Sequence, residues 1–139
     1  MAELMIISFA WTTPALLAGH KKRTRRDWTT EYAQKFHKGD QCYAYNRNPR
    51  NGGKPVAIIE HMADPYLQST KKLMPVDYHL EGFMYLATYG DDAQKKRVED
   101  IWVSWRSKPV ELWVVDFKLV KLLGGEEDGE TETRKVQGD

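Results

Sequence analysis

The sequence predicts an α+β fold in a single domain, built as a small β-barrel flanked by helices. Three observations favour this class. The chain has 139 residues, which is enough for one hydrophobic core and too few for two. Several strand-like segments and two or three helical ones follow one another without the βαβ alternation of a parallel sheet. No internal repeat or linker interrupts residues 1–123, so we take them as one domain and residues 124–139 as a separate tail.

The N-terminal part predicts a strand and a short helix. Residues 4–10, LMIISFA, form a β-branched and aromatic run that is typical of a strand buried on both faces. Thr12 or Thr13 before Pro14 predicts a helix start, and Gly19 predicts the helix end. The basic segment GHKKRTRR follows at once, and we expect it to be a charged loop leaving the C-terminus of this helix, where the helix dipole favours cations.

The middle of the chain predicts one helix and two strands. Residues 27–30 resemble a helix cap, and the segment TTEYAQKFHKGD then predicts a helix that ends at Gly39. Residues 41–46 alternate like a strand, and residues 47–53 are rich in turn formers. Residues 56–62 predict the next strand.

The C-terminal part contains the clearest periodic patterns. Pro75 opens a helical segment that Gly82 interrupts. Asp91 predicts the cap of a helix over residues 91–106. This helix carries one apolar stripe, formed by Val98, Ile101, Trp102 and Trp105. Residues 110–123 predict the strongest strand of the chain.

Charge is distributed unevenly along the chain. The formal net charge is +1, but residues 126–139 hold six acidic residues against two basic ones, a net charge of −4, which leaves +5 on the rest. The polar composition of residues 124–139 predicts a disordered acidic tail. Cys42 is the single cysteine, so no internal disulfide can form and a reducing compartment is expected. Without a basic leader or an apolar run of about 18 residues, we predict a cytoplasmic protein that does not enter membranes.

Metal and cofactor sites are not predicted. The four histidines are scattered, and no pair of cysteines or HExxH spacing marks a metal centre. Cys42 has the pattern of a small buried apolar residue, while a nucleophilic pair of Cys42 with His61 stays open. The sequence does not indicate an oligomeric state.

The basic segment is the most informative feature for function. Residues 21–26 carry five formal positive charges, which repel one another unless an anionic group lies nearby. Aromatic residues follow it closely, and a nucleic-acid site needs both cations for phosphate and flat rings for bases. The candidate phosphate contacts are Lys21, Lys22, Arg23, Arg25 and Arg26, and the candidate stacking rings are Trp28 and Tyr45. A solvated charged loop with core aromatics is the alternative.

The segment also has the pattern GxKxxTxR, formed by Gly19, Lys21, Thr24 and Arg26. Together with HLEGFMYL at residues 79–86 and the closing strand at residues 110–120, it resembles the ASCH domain family of the PUA-like superfamily. This resemblance implies a small PUA-like β-barrel flanked by helices, with a cleft where the motif loop faces the acidic helix start at Glu81. It also implies binding of RNA, or of a modified nucleoside.

One branch of this family is similar to acetylcytidine amidohydrolases, in which a lysine, a threonine and a glutamate act together. Matched residue by residue, these are Lys21, Thr24 and Glu81. A threonine hydroxyl becomes a nucleophile when a neighbour takes its proton, and a lysine crowded by cations is suited to that task because its charged form is disfavoured. Glu81 would pass a proton to the leaving amine, and Arg26 would hold an anionic group.

Lys22 and Arg23 exceed what a nucleoside pocket needs and favour a polyanionic ligand, RNA first and DNA second. A ribonuclease therefore also stays open, as do structural roles for these residues, with Glu81 a counter-ion for Arg25 or Arg26. A further alternative is an interaction protein whose basic loop binds an acidic partner or the acidic tail.

Overall fold

The structure is a computed structural model that describes residues 4–124. Within that range the chain forms six strands and five α-helices, joined by three short 3₁₀ segments. The strands are β1 (Met5–Ser8), β2 (Arg23–Arg26), β3 (Gln41–Tyr45), β4 (Pro55–His61), β5 (Tyr66–Ser69) and β6 (Glu111–Leu122). The helices are α1 (Thr13–Leu17), α2 (Thr30–Ala33), α3 (Pro75–Leu80), α4 (Phe83–Tyr89) and α5 (Asp92–Ser107).

The six strands form one curled sheet, a half-barrel in the order β1-β3-β4-β6-β2, with β5 also paired to β6. β1 and β3 run parallel, and the other pairs are antiparallel. This confirms the predicted class, an α+β domain with a small barrel-like sheet flanked by helices.

The long strand β6 holds the sheet together. Its first half pairs with β2, from Arg26 opposite Trp113 to Arg23 opposite Asp116, and with β5 on its other edge. Its second half, from Phe117 onward, pairs with β4 and contains an irregularity in register opposite Ile58 and Ile59. Register irregularities of this kind increase strand twist and bending. They help the sheet to curl around the core.

Two hydrophobic clusters fill the molecule. The first lies inside the half-barrel and includes Phe9, Leu16, Phe36, Ile59 and Phe117. The second lies between the helices and consists of Ala15, Phe83, Leu86 and Val98, with the tryptophans of α5 packed against it. The apolar stripe predicted for α5 therefore faces this helical cluster. The Asp91 side chain caps α5 by accepting a hydrogen bond from the backbone N–H of Gln94 at 2.8 Å.

Three local predictions need correction. The basic segment is not a loop, because residues 23–26 form β2, a strand at the end of the strand order that pairs with β6. The predicted helix up to Gly39 shrinks to Thr30–Ala33, since turns follow at residues 34–35 and 38–39 and Phe36 between them packs into the first cluster. The short strand Tyr66–Ser69 was missed because it follows Pro65 directly and because four residues are too few to show a periodic pattern.

The remaining elements agree with the predictions within a few residues, including the break at Gly82 between α3 and α4. The predicted burial of the first strand on both faces is wrong, because β1 lies at the end of the strand order and Ile6 is 37% exposed. Among residues 4–124, no helix is long and apolar enough to cross a membrane. The predicted tail lies outside the described residues, apart from Gly124.

Candidate ligand-binding cleft

The basic segment lines a cleft between the sheet and the helices. The cleft has a volume of about 280 Å³ and is bordered by β2, the 3₁₀ segment Ala10–Thr12, the start of α4 and one face of α5. We call it the basic cleft. Its lining includes Ser8, Phe9, Ala10, Trp11, Thr12, Lys21, Thr24, Arg25, Arg26, Glu81, Phe83, Arg97, Ile101 and Trp105. Lys21, Thr24, Arg26 and Glu81, which the sequence singled out, are thus brought together.

Alternation along β2 divides the motif residues into two groups, since successive side chains of a strand point to opposite faces. Arg23 and Arg25 share one face and both donate to Asp77 Oδ1, at 2.7 Å and 3.0 Å. Arg23 also makes a two-pronged contact with the carboxylate of Asp116. Thr24 and Arg26 share the other face, where Arg26 Nε donates to Thr24 Oγ1 at 3.1 Å.

A buried ion-pair network neutralises part of the positive charge of the basic segment. Glu81 accepts from Arg25 Nη1 at 2.8 Å and from Lys21 Nζ at 3.3 Å, and all three side chains are buried. The Asp77 carboxylate also accepts from the backbone N–H of Met74 and so caps α3. Burial raises the pKa of Asp77, but the hydrogen bonds from Met74, Arg23 and Arg25 outweigh it and hold that pKa below its usual range.

Gly82 permits the approach of Glu81 to Lys21. It lies between α3 and α4 with a φ of +84°, a conformation that glycine adopts without steric cost. A Cβ atom at this position would lie 2.7 Å from the Cβ of Ala15 and 3.0 Å from the Cβ of Lys21. Close packing of α4 against α1 and the basic segment therefore requires a glycine at position 82, directly after Glu81.

Lys21 has an unusual environment for a charged group. Its pKa is lowered to about 8, mainly by burial and also by the nearby charges of Arg26 and Arg25, while Glu81 acts in the opposite direction. Its Nζ donates to the backbone oxygens of Arg23, at 3.0 Å, and Glu81, at 2.8 Å, and to the Glu81 carboxylate. These three acceptors match the three donors of an ammonium group. In this arrangement Lys21 ties β2 to the start of α4.

Two arginines of the cleft have no carboxylate partner within residues 4–124. Arg26 lies over the ring of Phe9, 5.2 Å from its centroid, and Arg97 lies over the ring of Trp11 at 5.1 Å. Burial lowers the pKa of Arg26 to about 10, so it stays protonated at neutral pH. Within the described part of the chain, the buried Arg25 Nε also lacks a hydrogen-bond acceptor. These groups leave the cleft with positive charge that the carboxylates of residues 4–124 do not balance.

Aromatic rings supply the apolar part of the cleft. Trp11 stacks on Phe83 with ring centroids 5.9 Å apart, and Phe83 packs against Trp105 at 5.8 Å. Ala10 borders the cleft with a φ of +45°, the one positive φ of a non-glycine residue within residues 4–124. Backbone strain of this kind concentrates at binding sites.

The other predicted site residues lie elsewhere. Trp28 stacks on Phe36 at 4.9 Å and packs against the first cluster, and the half-buried Tyr45 belongs to β3; neither lines the basic cleft. Lys22 is exposed and faces a separate groove. The prediction missed Arg97 and Trp105, although Arg97, Ile101 and Trp105 follow a spacing of four that places them on one helix face.

The Cys42–His61 pair exists but is enclosed in the first cluster. Cys42 Sγ lies 3.3 Å from His61 Nε2, and both side chains are 1% exposed. Burial, with a smaller effect of Asp40, raises the pKa of the Cys42 thiol to about 12. This thiol is therefore poorly suited to nucleophilic attack. Within residues 4–124, no group of three or more histidine, cysteine or acidic residues is placed to hold a metal ion.

Comparison with known proteins defines the class of fold. The half-barrel is similar to the crystal structure of protein EF3133 from Enterococcus faecalis V583, which is assigned to the family model DUF984. The two share 15% sequence identity with a TM-score of 0.56, over 88% of this chain and 84% of that one. This similarity supports the fold. No family model matches the sequence of the chain, and no curated protein matches it.

Proposed function

We propose that the protein is a PUA-like ASCH domain whose basic cleft binds a nucleotide, either free or as one residue of RNA. One observation carries the proposal: a cleft of about 280 Å³ is lined by four cationic side chains, one carboxylate and several aromatic rings. Such a volume lies near the lower end of small-molecule pockets. It suits a single nucleotide better than a folded polynucleotide.

Each part of a nucleotide has a matching group in the cleft. Arg26 and Arg97, which lack carboxylate partners within the described range, are the proposed phosphate contacts. Trp11 is the proposed stacking surface for the base, which takes the place of the Arg97 guanidinium over the indole ring while Arg97 turns to the phosphate. Lys21 and Glu81 hold the cleft in shape and present polar atoms to the base.

The test is calorimetric titration with cytidine 5′-monophosphate, cytidine and ribose 5-phosphate. We expect the monophosphate to bind more tightly than cytidine by about tenfold or more, as a charge-assisted contact worth about 1.5–3 kcal/mol would give. Arg26→Met should reduce this difference, with Arg97 left as the remaining phosphate contact. Arg47→Met, in the exposed loop before β4, is the matched control and should bind as the wild type does. Absence of nucleotide binding, or equal binding by Arg26→Met, would contradict the proposal.

A hydrolase of the acetylcytidine amidohydrolase type is the second candidate. It is favoured by the low pKa of Lys21, about 8, in the same cleft as Thr24. In this mechanism Thr24 Oγ1 attacks the acetyl carbonyl as neutral Lys21 accepts its proton, and Glu81 passes a proton to the exocyclic nitrogen so that cytidine leaves as the amine. Water then hydrolyses the threonine ester, which releases acetate and restores the hydroxyl. The reaction requires Lys21 to exchange its contacts with Glu81 for one with Thr24.

Chromatography of acetylcytidine incubated with the protein tests this second candidate. The hydrolase predicts cytidine and acetate, and loss of both in Thr24→Val and Lys21→Met. If acetylcytidine binds but no product forms, the hydrolase candidate is rejected and the cleft is a binding site. A ribonuclease predicts shortening of labelled RNA in the same assay, again dependent on Lys21.

A further inference from the structure

A second recess lies beside the basic cleft on the other side of the basic segment. It has a volume of about 420 Å³ and is formed by residues 19–22, α3 and α4. We call it the outer groove. It is lined by Gly19, His20, Lys22, His79, Leu80, Met84, Tyr85, Thr88 and Tyr89, and none of these residues is acidic.

Three rings form a row along this groove. The imidazole of His20 stacks on Tyr85 with centroids 4.9 Å apart and 26° between planes, and Tyr85 packs against Tyr89 at 5.1 Å. Tyr85 and Tyr89 are four residues apart on α4 and therefore share one face of the helix. The side chain of Tyr89 is 72% exposed. Folding leaves this ring in contact with water.

The same groove carries positive charge that no carboxylate of the described residues neutralises. Lys22 is exposed and forms no ion pair within residues 4–124, in contrast to Arg23 and Arg25 on either side of Thr24. His20 and His79 add two imidazoles that can donate hydrogen bonds to an anion. Exposed rings next to unpaired cations and no carboxylate are the combination that single-stranded nucleic acids require.

The two recesses adjoin along two segments of the chain. Lys21 lines the basic cleft and Lys22 lines the outer groove, and Glu81 and Leu80 are divided in the same way. The backbone N–H of Lys22 donates to the carbonyl of Leu80 at 2.8 Å, which keeps these segments together. A ligand that occupies the cleft with one residue has the outer groove as a neighbouring surface.

We propose that the outer groove binds single-stranded nucleic acid, with bases stacked on the exposed ring of Tyr89 and on His20, and with phosphate bound by Lys22. This inference rests on the proposed function in one respect: the groove would hold nucleotides that flank the one in the basic cleft. The proposed ligand of the protein is then a single-stranded polynucleotide that spans the basic cleft and the outer groove.

The experiment measures fluorescence anisotropy of a labelled oligouridylate of about ten nucleotides, alongside titration with uridine 5′-monophosphate. Tyr89→Leu should weaken oligouridylate binding at least about fivefold, as loss of one stacked base predicts. Tyr89→Phe, the matched control, retains the ring and should bind as the wild type does. None of these variants should change the affinity for the mononucleotide.

Salt dependence tests the role of Lys22 separately. Lys22→Ala should reduce the slope of the logarithm of the affinity against the logarithm of salt concentration by about 0.7, the value expected for one phosphate contact on a single strand. Lys121→Ala, an exposed lysine of β6 outside the groove, should leave the slope unchanged.

Failure of the groove and failure of the cleft give different results. If the mononucleotide binds but Tyr89→Leu and Lys22→Ala bind oligouridylate as the wild type does, the groove proposal is overturned and the cleft stands. If the mononucleotide does not bind and Tyr89→Leu still weakens oligouridylate binding, the groove stands and the cleft proposal fails. Binding of a labelled oligoglutamate peptide in place of oligouridylate would overturn the groove proposal in favour of an acidic protein partner.

Discussion

Gly82→Ala tests whether close packing at the start of α4 holds the basic cleft together. The substitution has two separable costs. Gly82 has a φ of +84°, so any Cβ there is strained, and that Cβ would also lie within 3.0 Å of Ala15 and Lys21. Gly52 has nearly the same conformation, with a φ of +82°, and a Cβ there would meet nothing within 4 Å. Gly52→Ala is therefore a control that has the cost of the left-handed conformation without the steric clash.

The magnitudes follow from these contacts. A left-handed conformation costs an alanine about 1–2 kcal/mol, which both variants should lose from the free energy of unfolding. Overpacking adds about 1–3 kcal/mol. We expect this second cost for Gly82→Ala alone, because the Cβ atoms of Ala15 and Lys21 are bonded directly to the backbone and cannot rotate away. Gly82→Ala should thus be less stable than Gly52→Ala by about 2 kcal/mol.

Urea unfolding followed by tryptophan fluorescence measures the difference. With a slope of about 2 kcal/mol per molar urea, the midpoint for Gly82→Ala should fall about 1 M below that of Gly52→Ala. Gly82→Ala should also weaken binding of cytidine 5′-monophosphate, since α4 must move away from Lys21, whereas Gly52→Ala should not. Equal midpoints for the two variants would refute the argument from close packing.

Three further predictions concern buried titratable groups. Glu81→Ala should lower the free energy of unfolding by about 3–5 kcal/mol, because it leaves Lys21 as a buried charge without its carboxylate and leaves Arg25 with Asp77 alone; Glu81→Gln, which keeps an acceptor oxygen, should cost less in the same urea assay. Burial lowers the pKa of His61 in the folded state, so the unfolded chain binds the proton more readily and stability should fall as the pH drops below 6.5; a stability profile of His61→Leu with the same acid slope would contradict this. The Cys42 thiol, with a pKa raised to about 12, should react slowly with iodoacetamide at neutral pH in the native state and rapidly in urea; rapid native labelling, followed by mass spectrometry, would show that the site is open.

Elements with a strong local signal were predicted well. α5 has a cap at Asp91 and apolar residues at helical spacing, and β6 is a long run of β-branched and aromatic residues. The break at Gly82 was also visible, since a glycine inside a helical pattern indicates a boundary. These signals depend on neighbouring residues, so they are present before any tertiary contact forms.

The candidate site was predicted in part. Lys21, Thr24, Arg26 and Glu81 do lie in one cleft, which the resemblance to ASCH domains implied. Arg97 and Trp105 were not identified, because helical spacing shows which residues share a face of α5 and does not show which surface that face meets. The stacking roles expected for Trp28 and Tyr45 rested on their nearness in sequence to the basic segment, and the structure places neither in the cleft.

Local residue patterns were thus sufficient for the α+β class, for most of its elements and for the anomaly of five cations in six residues. What those cations face was decided by contacts between distant parts of the chain. Arg23 and Arg25 meet carboxylates more than fifty positions away, at Asp77, Glu81 and Asp116, whereas Lys22 meets none within the described residues. A charge is neutralised through space and not along the sequence. The folded chain therefore determines which members of the basic segment pair with carboxylates and which have no such partner within residues 4–124.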